Sequence, residues 1–102
     1  MPAWLQPAWA ERRIARRREA RLPGETKHPD FGRRQVALLD LSASGCRLEC
    51  AFFRPGDKLW LAITNLAPRL ATVAWSSNKE IGLRFDRSLH PAVVDHLVAQ
   101  SV

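Results

Sequence analysis

The sequence has few of the residues that mark disulfide-rich or metal-binding proteins. It contains only two cysteines, Cys46 and Cys50, with no CxxC pair and no histidine spacing that resembles a zinc site. The two cysteines lie in an alternating, strand-like stretch, where four residues span about 13 Å, too far for a disulfide between them. We therefore expect both cysteines to be reduced core residues, and we expect no bound metal.

Long hydrophobic runs are also missing. The uncharged stretch over residues 59–68 is ten residues long, half of what a membrane-spanning helix requires. A basic segment followed by a long apolar region, as in a secretion signal, is not visible. These absences predict a cytoplasmic protein that does not insert into a membrane.

The common signatures of catalysis are absent as well. The sequence has no GxxxxGK[ST] phosphate loop, no GxSxG and no HExxH. The three histidines, His28, His90 and His96, are scattered, and we expect each to be structural or solvent-exposed. The sequence therefore predicts a protein that is not an enzyme and carries no cofactor.

What the chain does have is an uneven distribution of positive charge. Its 102 residues, enough for one domain, carry a net charge of +6. Residues 1–34 hold nine basic and four acidic side chains, whereas residues 35–102 hold seven and six. Six arginines fall within residues 12–21, and repulsion between like charges disfavours a stable isolated helix there. We expect this arm to be flexible and to meet an anion.

The rest of the chain reads as short strands and turns that end in one helix. Alternating apolar residues predict strands over residues 35–41, 46–52, 59–63, 69–76 and 81–85. From Leu22 onward, Pro23-Gly24 and the turn at residues 29–32 interrupt what we expect to be a poor, edge-type strand. The class is therefore mainly β, as a small antiparallel barrel or sandwich.

A helix is predicted near the C-terminus. Ser88 can cap it, Pro91 suits its first turn, and Val94, Leu97 and Val98 share one face. Such a helix would plug an open end of the barrel or cover a sheet edge.

Two short motifs stand out from this background. The first is Arg17-x-x-x-Arg21, directly preceded by Arg16, and the second is the D-x-S-x-x-G of residues 40–45. Taken alone, the first is typical of a solubilising basic tail. The second is typical of a turn in which Asp and Ser bond backbone amides and Gly adopts a positive φ.

Taken in order, with Arg21 and Asp40 19 positions apart, the motifs resemble those of the PilZ domain family. The likeness continues in the glycine and apolar strand of residues 56–61, in residues 71–75 ending at a tryptophan, in residues 81–85 and in the closing helix. It implies a six-stranded antiparallel β-barrel with a C-terminal α-helix and a flexible basic N-terminal arm. We therefore divide the chain into a tail over residues 1–15 and a PilZ domain over residues 16–102.

The resemblance also implies a ligand, the bacterial second messenger cyclic di-GMP. The binding residues it implies are Arg16, Arg17, Arg21, Asp40, Ser42, Gly45 and Trp75. Arginine can pair with guanine O6 and N7 or with phosphate and can stack on a base, and a carboxylate accepts hydrogen bonds from guanine N–H groups. Ser42 can donate or accept a hydrogen bond, and Gly45 permits close approach of the backbone.

The choice of ligand-binding arginines and the number of bound ligand molecules follow only from the resemblance. Arg12 and Arg13 form equally spaced pairs with Arg16 and Arg17. Spacing alone therefore does not decide which pair of arginines would hold the ligand, the pair here called the clamp. Family members with an arginine at the position of Arg16 often hold two intercalated ligand molecules, so we expect two molecules of cyclic di-GMP here. Trp75 has two interpretations of equal weight, a base-packing residue or a core residue at the barrel rim.

The resulting hypothesis is a cyclic di-GMP receptor whose arginine arm becomes ordered on ligand binding and then signals through an unidentified protein. One alternative is a small basic barrel that binds RNA or single-stranded nucleic acid through its arm. We do not favour nucleic acid, because no series of outward aromatic residues is visible. The other alternative is a PilZ-like protein-interaction module that does not bind a nucleotide.

Overall fold

The computed structural model describes residues 18–64 and 66–100. Their elements are β1 (Arg18–His28), β2 (Gly32–Leu41), β3 (Gly45–Glu49), β4 (Lys58–Ile63), β5 (Arg69–Ser76), β6 (Ile81–Phe85) and α1 (Pro91–Ala99). All neighbouring strands are antiparallel, in the order β1-β2-β3-β6-β5-β4, and pairing of β1 with β4 closes the barrel. The prediction of a six-stranded antiparallel barrel with a C-terminal helix is confirmed; the expected flexible arm before Arg18 lies outside the described residues.

The barrel interior is filled mainly by apolar side chains that alternate with outward residues along the strands. Both predicted core patterns on β4 and β6 are present, because Leu59, Leu61 and Ile63 alternate inward, as do Ile81, Leu83 and Phe85. Cys46 is buried and Cys50 half-buried, and both are free thiols. Strands supported by such a core position outward side chains more precisely than loops do.

Strand β1 corrects the prediction of a poor edge strand. It is 11 residues long and pairs with β2 on one side and β4 on the other, so it has no free edge. A Cβ at Gly24 would lie 2.8 Å from Leu38 Cδ1 and 3.2 Å from the Ala62 carbonyl oxygen. This glycine therefore permits three strands to pack closely and does not form a turn. Residues 18–21 of the arginine segment also belong to this strand.

The segment after β3 differs from the predicted long strand over residues 46–52. Strand β3 ends at Glu49, and it is Phe53, 2% exposed, that enters the core. Phe52 stays 39% exposed and packs edge-on against Phe31, with the Arg34 guanidinium 3.6 Å from its ring centre. The prediction from alternation is wrong here, because the chain leaves the sheet after Glu49, three residues earlier than the apolar pattern suggests.

Helix α1 packs against β1 through Val94 and Leu97, both buried. Pro91 occupies the first turn as predicted, but the cap is His90, whose Nδ1 accepts a hydrogen bond from the Ala92 amide at 3.0 Å. The prediction of Ser88 as the cap is wrong, because the helix begins two residues later than a Ser88 cap would require. The closed barrel leaves no sheet edge for the helix to cover.

Candidate functional site

A line of paired residues crosses five strands on the outer wall of the barrel. The sheet register pairs Glu19 with Asp40, Asp40 with Arg47, Arg47 with Gly82, and Gly82 with Trp75. Residues directly opposite each other in a sheet share a face. The register therefore places Asp40 and Trp75, which are far apart in sequence, on one surface.

Three β-bulges beside this line determine which side chains face outward. Strand β1 has one extra residue against β2 between Glu19 and Leu22, β2 has Leu39 as an extra residue against β3, and β5 has Ala74 against β6. Without the second bulge, Asp40 would share the inward face of Leu38. Bulges commonly re-aim side chains at functional sites, and their concentration here supports a site on this wall.

Asp40 is held by an arginine that sequence reasoning did not select. Its side chain is only 4% exposed, and its Oδ2 accepts a hydrogen bond from Arg47 Nε at 3.0 Å. Arg47 Nη1 donates to Glu80 Oε1, also at 3.0 Å, so one guanidinium bridges two carboxylates. The signal that could have identified Arg47 is its outward position in the alternating strand β3, directly across the hairpin from Asp40.

Ser42 lies in the turn between β2 and β3 and is 1% exposed. Its Oγ accepts from the amides of Ser44 and Gly45 at 3.3 and 3.2 Å and is 3.2 Å from the Gly45 carbonyl oxygen. The Ser42 amide donates to the same carbonyl at 2.8 Å. The hydroxyl thus holds the turn together, as the turn interpretation of this motif requires, and this fixes the end of the strand that carries Asp40.

Gly45 is required by the sheet itself. It does not adopt the positive φ expected of a turn glycine; the described glycines that do are Gly32 and Gly56. A Cβ on Gly45 would lie 2.0 Å from the Leu83 carbonyl oxygen and 3.3 Å from Arg84 Cα. The absence of a side chain therefore lets β3 approach β6, whatever part the residue plays toward a ligand.

Trp75 covers Gly82 on the outer wall. A Cβ on Gly82 would lie 2.1 Å from Trp75 Nε1, so the indole occupies the space that any larger residue would take. The ring is half-buried, and its Nε1 is buried without a hydrogen-bond partner among the described residues. Trp75 is thus a wall residue rather than part of the barrel core, and its position is compatible with packing against a base.

Next to this line lies an open groove of about 470 Å³ between β1, β2, β3 and Glu80. Arg21 is exposed on its β1 side. The charged residues around the groove are Glu19, Arg21, Asp40, Arg47, Glu49 and Glu80. Four carboxylates therefore face two guanidinium groups, so the described part of the site is acidic. Arg16 and Arg17 lie outside the described residues.

The structure thus places Asp40 and Trp75 on the same outer wall, three strands apart, with Arg21 on the groove beside Asp40 and with Ser42 and Gly45 in the turn that follows β2; Trp75 does not line that groove. Within residues 18–64 and 66–100, no group of three or more His, Cys, Asp or Glu side chains is arranged to hold a metal ion. The helix in this same part of the chain is neither long nor apolar enough to cross a membrane.

A small closed barrel with one terminal helix and a charged groove on its outer wall belongs to the class of β-barrel binding domains. The family model of the PilZ domain matches residues 11–101, so the chain belongs to the PilZ domain family. Domains of this family generally act as cyclic di-GMP receptors and are not generally enzymes. The match includes the arginine segment that precedes β1.

The fold is also similar to the solved structure of Bacillus subtilis Inhibitor of motility (MotI/DgrA), with a TM-score of 0.63 and 17% sequence identity. The similarity covers 86% of this chain and 48% of that one, so this chain spans about half of that protein's length. At this identity the likeness shows the fold alone. Comparison with curated protein sequences gives no match.

Proposed function

We propose that this chain is a non-enzymatic cyclic di-GMP receptor that binds its ligand in the groove between β1 and Glu80. The observation that carries the proposal is the register line that aligns Asp40 and Trp75 on one wall, beside a groove bordered by Arg21. A cyclic dinucleotide needs such a set: acceptors for guanine N–H groups, donors for phosphate and an apolar surface for a base.

The charges of the groove suggest which residues contact the guanines and which contact the phosphates. Its carboxylates suit the N1–H and N2–H donors of guanine, because an ionised carboxylate only accepts hydrogen bonds. They would repel the two phosphates, since four carboxylates outnumber two guanidinium groups. We therefore assign phosphate binding to Arg16 and Arg17 together with Arg21, through charge-assisted hydrogen bonds.

Ser42 and Gly45 contribute to this site mainly by position. The Ser42 hydroxyl already bonds two amides of its own turn, and Gly45 permits the contact of β3 with β6. Both residues keep the end of β2, and hence the Asp40 carboxylate, in place beside the groove. In this proposal the ligand meets the backbone of their turn rather than the serine hydroxyl.

Ligand binding would bring the segment before Arg18 across the groove. Strand β1 already begins at Arg18, so the ordering step concerns only the residues that precede it. Pairing of their arginines with phosphate would create a new surface that a downstream protein can bind. By its position next to the clamp, Arg16 would allow a second, intercalated molecule of cyclic di-GMP.

Single-residue variants titrated with cyclic di-GMP test the site. We expect Arg17→Ala and Arg21→Ala each to weaken binding at least tenfold, which corresponds to about 1.4 kcal/mol or more. The matched control is Arg33→Ala, which removes an exposed arginine near the far end of β1 and β2 and should change the Kd less than twofold. Circular dichroism verifies that each variant is folded.

Asp40→Asn tests the acceptor role at nearly constant volume. It should weaken cyclic di-GMP binding at least tenfold, because an amide replaces one acceptor by a donor. If Arg21→Ala and Asp40→Asn both bind like the unmodified protein, the site assignment is wrong. Binding of a short RNA in place of cyclic di-GMP would instead support the nucleic-acid alternative.

A further inference from the structure

A second depression lies on a different wall of the barrel, around an exposed tryptophan. Trp60 faces outward from β4 and is 47% exposed, the most exposed large apolar side chain of the described residues. The depression beside it, here called the Trp60 groove, has a volume of about 620 Å³ and is open to solvent. Its apolar lining comes from Leu66, Pro68 and Leu70.

The rim of the Trp60 groove carries more positive than negative side chains among the described residues. Arg69 and Arg87 line it, and the Arg69 Nη1 donates to the Arg87 carbonyl oxygen at 3.2 Å, which fixes that guanidinium near the groove. The acid on the rim is Asp86, which is already paired with Lys58 Nζ at 2.8 Å and accepts from Thr72 at 3.2 Å.

Arg84 adds to this charge, since it lies close enough to Asp86 to stabilise the carboxylate. Among the described residues, two basic side chains line the Trp60 groove, Arg69 and Arg87, and two more, Lys58 and Arg84, lie beside its lining acid Asp86. The near-neutral balance of this part of the chain conceals a local positive surface.

We propose that the Trp60 groove binds an acidic protein segment that places an apolar or aromatic side chain on Trp60. An exposed indole over aliphatic residues can anchor such a side chain, and arginines at the rim complement carboxylates on either side of it. A single-stranded nucleic acid fits less well, because successive bases need successive aromatic platforms and, of the residues that the structure describes, Trp60 is the one aromatic residue lining this groove.

The Trp60 groove shares no lining residue with the groove beside Asp40. Strand β5 connects the two walls, with Leu70 in the Trp60 groove and Trp75 on the wall that carries Asp40. A protein segment can therefore occupy the Trp60 groove while the other groove holds its own ligand. This inference does not rest on the proposed receptor function, because binding of an acidic segment at Trp60 requires no cyclic di-GMP.

Peptide selection against the full chain tests the inference without assuming a partner. A displayed library of random twelve-residue peptides is panned on the protein at low and moderate salt, and the enriched peptides are synthesised and titrated by fluorescence polarisation. We expect enriched peptides to be acidic and to contain a central Phe, Trp or Leu. Their affinity should fall with rising salt, because rim charges are screened.

Two variants and one control place the binding on this wall. Trp60→Thr removes the indole but retains β propensity, and Arg87→Glu reverses a rim charge while keeping the carbonyl that Arg69 uses. Each should weaken peptide binding at least tenfold, whereas Arg33→Glu, a charge reversal elsewhere, should change it less than twofold. Circular dichroism checks the fold of all three.

The inference is overturned if the enriched peptides are not acidic, or if they bind Trp60→Thr and Arg87→Glu as well as the unmodified protein. It is also overturned if a short RNA binds instead and loses affinity in Trp60→Thr. Cyclic di-GMP titration of the same variants separates the two proposals, since those variants should keep the ligand affinity of the unmodified chain. Loss of peptide binding with intact cyclic di-GMP binding is the result expected.

Discussion

Replacing Gly45 by alanine distinguishes a structural role of the D-x-S-x-x-G motif from a purely ligand-contacting one. The added Cβ would lie 2.0 Å from the Leu83 carbonyl oxygen, whereas ordinary contact begins at 3.4 Å. The obstructing atoms are backbone, so no side-chain rotation relieves the clash. Strands β3 and β6 must therefore separate by about 1 Å or more. A well-packed core loses stability when it is forced apart in this way.

The size of the effect follows from what that separation breaks. Two backbone hydrogen bonds near the site, including Phe85 N–H to Ser44 O at 2.8 Å, contribute about 1 kcal/mol each. Overpacking adds about 1–3 kcal/mol, since Cys46 and Leu83 are fully buried against each other in the register. We therefore expect Gly45→Ala to lower the free energy of unfolding by about 3–5 kcal/mol, a large share of a small domain's stability.

Urea denaturation followed by circular dichroism measures this loss. Gly56→Ala is the matched control, because Gly56 has a φ of +92° but no atom within 4 Å of an added Cβ. It carries backbone strain without a clash and should cost about 1–2 kcal/mol. A Gly45→Ala variant within 1 kcal/mol of the unmodified protein that nonetheless loses cyclic di-GMP would refute the structural reasoning.

Three further perturbations follow from other parts of the wall and core. Thr26→Val should raise the free energy of unfolding by about 1 kcal/mol, because Thr26 is fully buried and its hydroxyl has no partner among the described residues; a lower melting temperature in calorimetry would contradict this. The hydrogen bond from Lys58 lowers the pKa of Asp86 below its usual 3.8, so this pair stabilises the fold above about pH 4 and ceases to do so as the pH falls through the lowered pKa. Lys58→Ala should therefore reduce stability in urea titrations at pH 6, and by progressively less as the pH falls below 3.8; a loss that does not shrink with falling pH would contradict this. Gly82→Ala should displace the Trp75 indole with less loss of stability than Gly45→Ala, because a side chain can move where a backbone carbonyl cannot; an unchanged indole N–H resonance in NMR would show that the ring does not move.

The strands with strong local alternation could be predicted from sequence. Strand β4 and strand β6 carry their apolar residues at every second position, and both were placed within a residue of their observed bounds. Pro91 marked the helix start for a similarly local reason, since it suits a first turn.

Strand β1 could not be predicted in this way, because its stability comes from distant partners. Pro23 and Gly24 carry a turn signal, yet β1 forms hydrogen-bonded ladders with both β2 and β4. Such pairing depends on residues far along the chain and outweighs local propensity. The same is true of the Phe53 position, which depends on where the chain leaves the sheet.

The site was predictable in its residues but not in its geometry. Asp40 and Trp75 were selected by resemblance, yet the bulges at Leu39 and Ala74 that place them on the outer wall have no clear local signature. Arg47 was missed because it belongs to no recognised motif, although it bonds Asp40 directly. A hairpin register drawn through that motif would have placed the two residues opposite each other.

Isothermal titration calorimetry of the unmodified protein with cyclic di-GMP tests the central claim most directly, with GMP and a short RNA as controls at two salt concentrations. The account predicts saturable binding of cyclic di-GMP, with a stoichiometry of two per chain and an affinity that falls as salt rises. No heat with cyclic di-GMP, at concentrations where the protein is folded, would contradict the receptor function and leave a PilZ fold used for protein interaction.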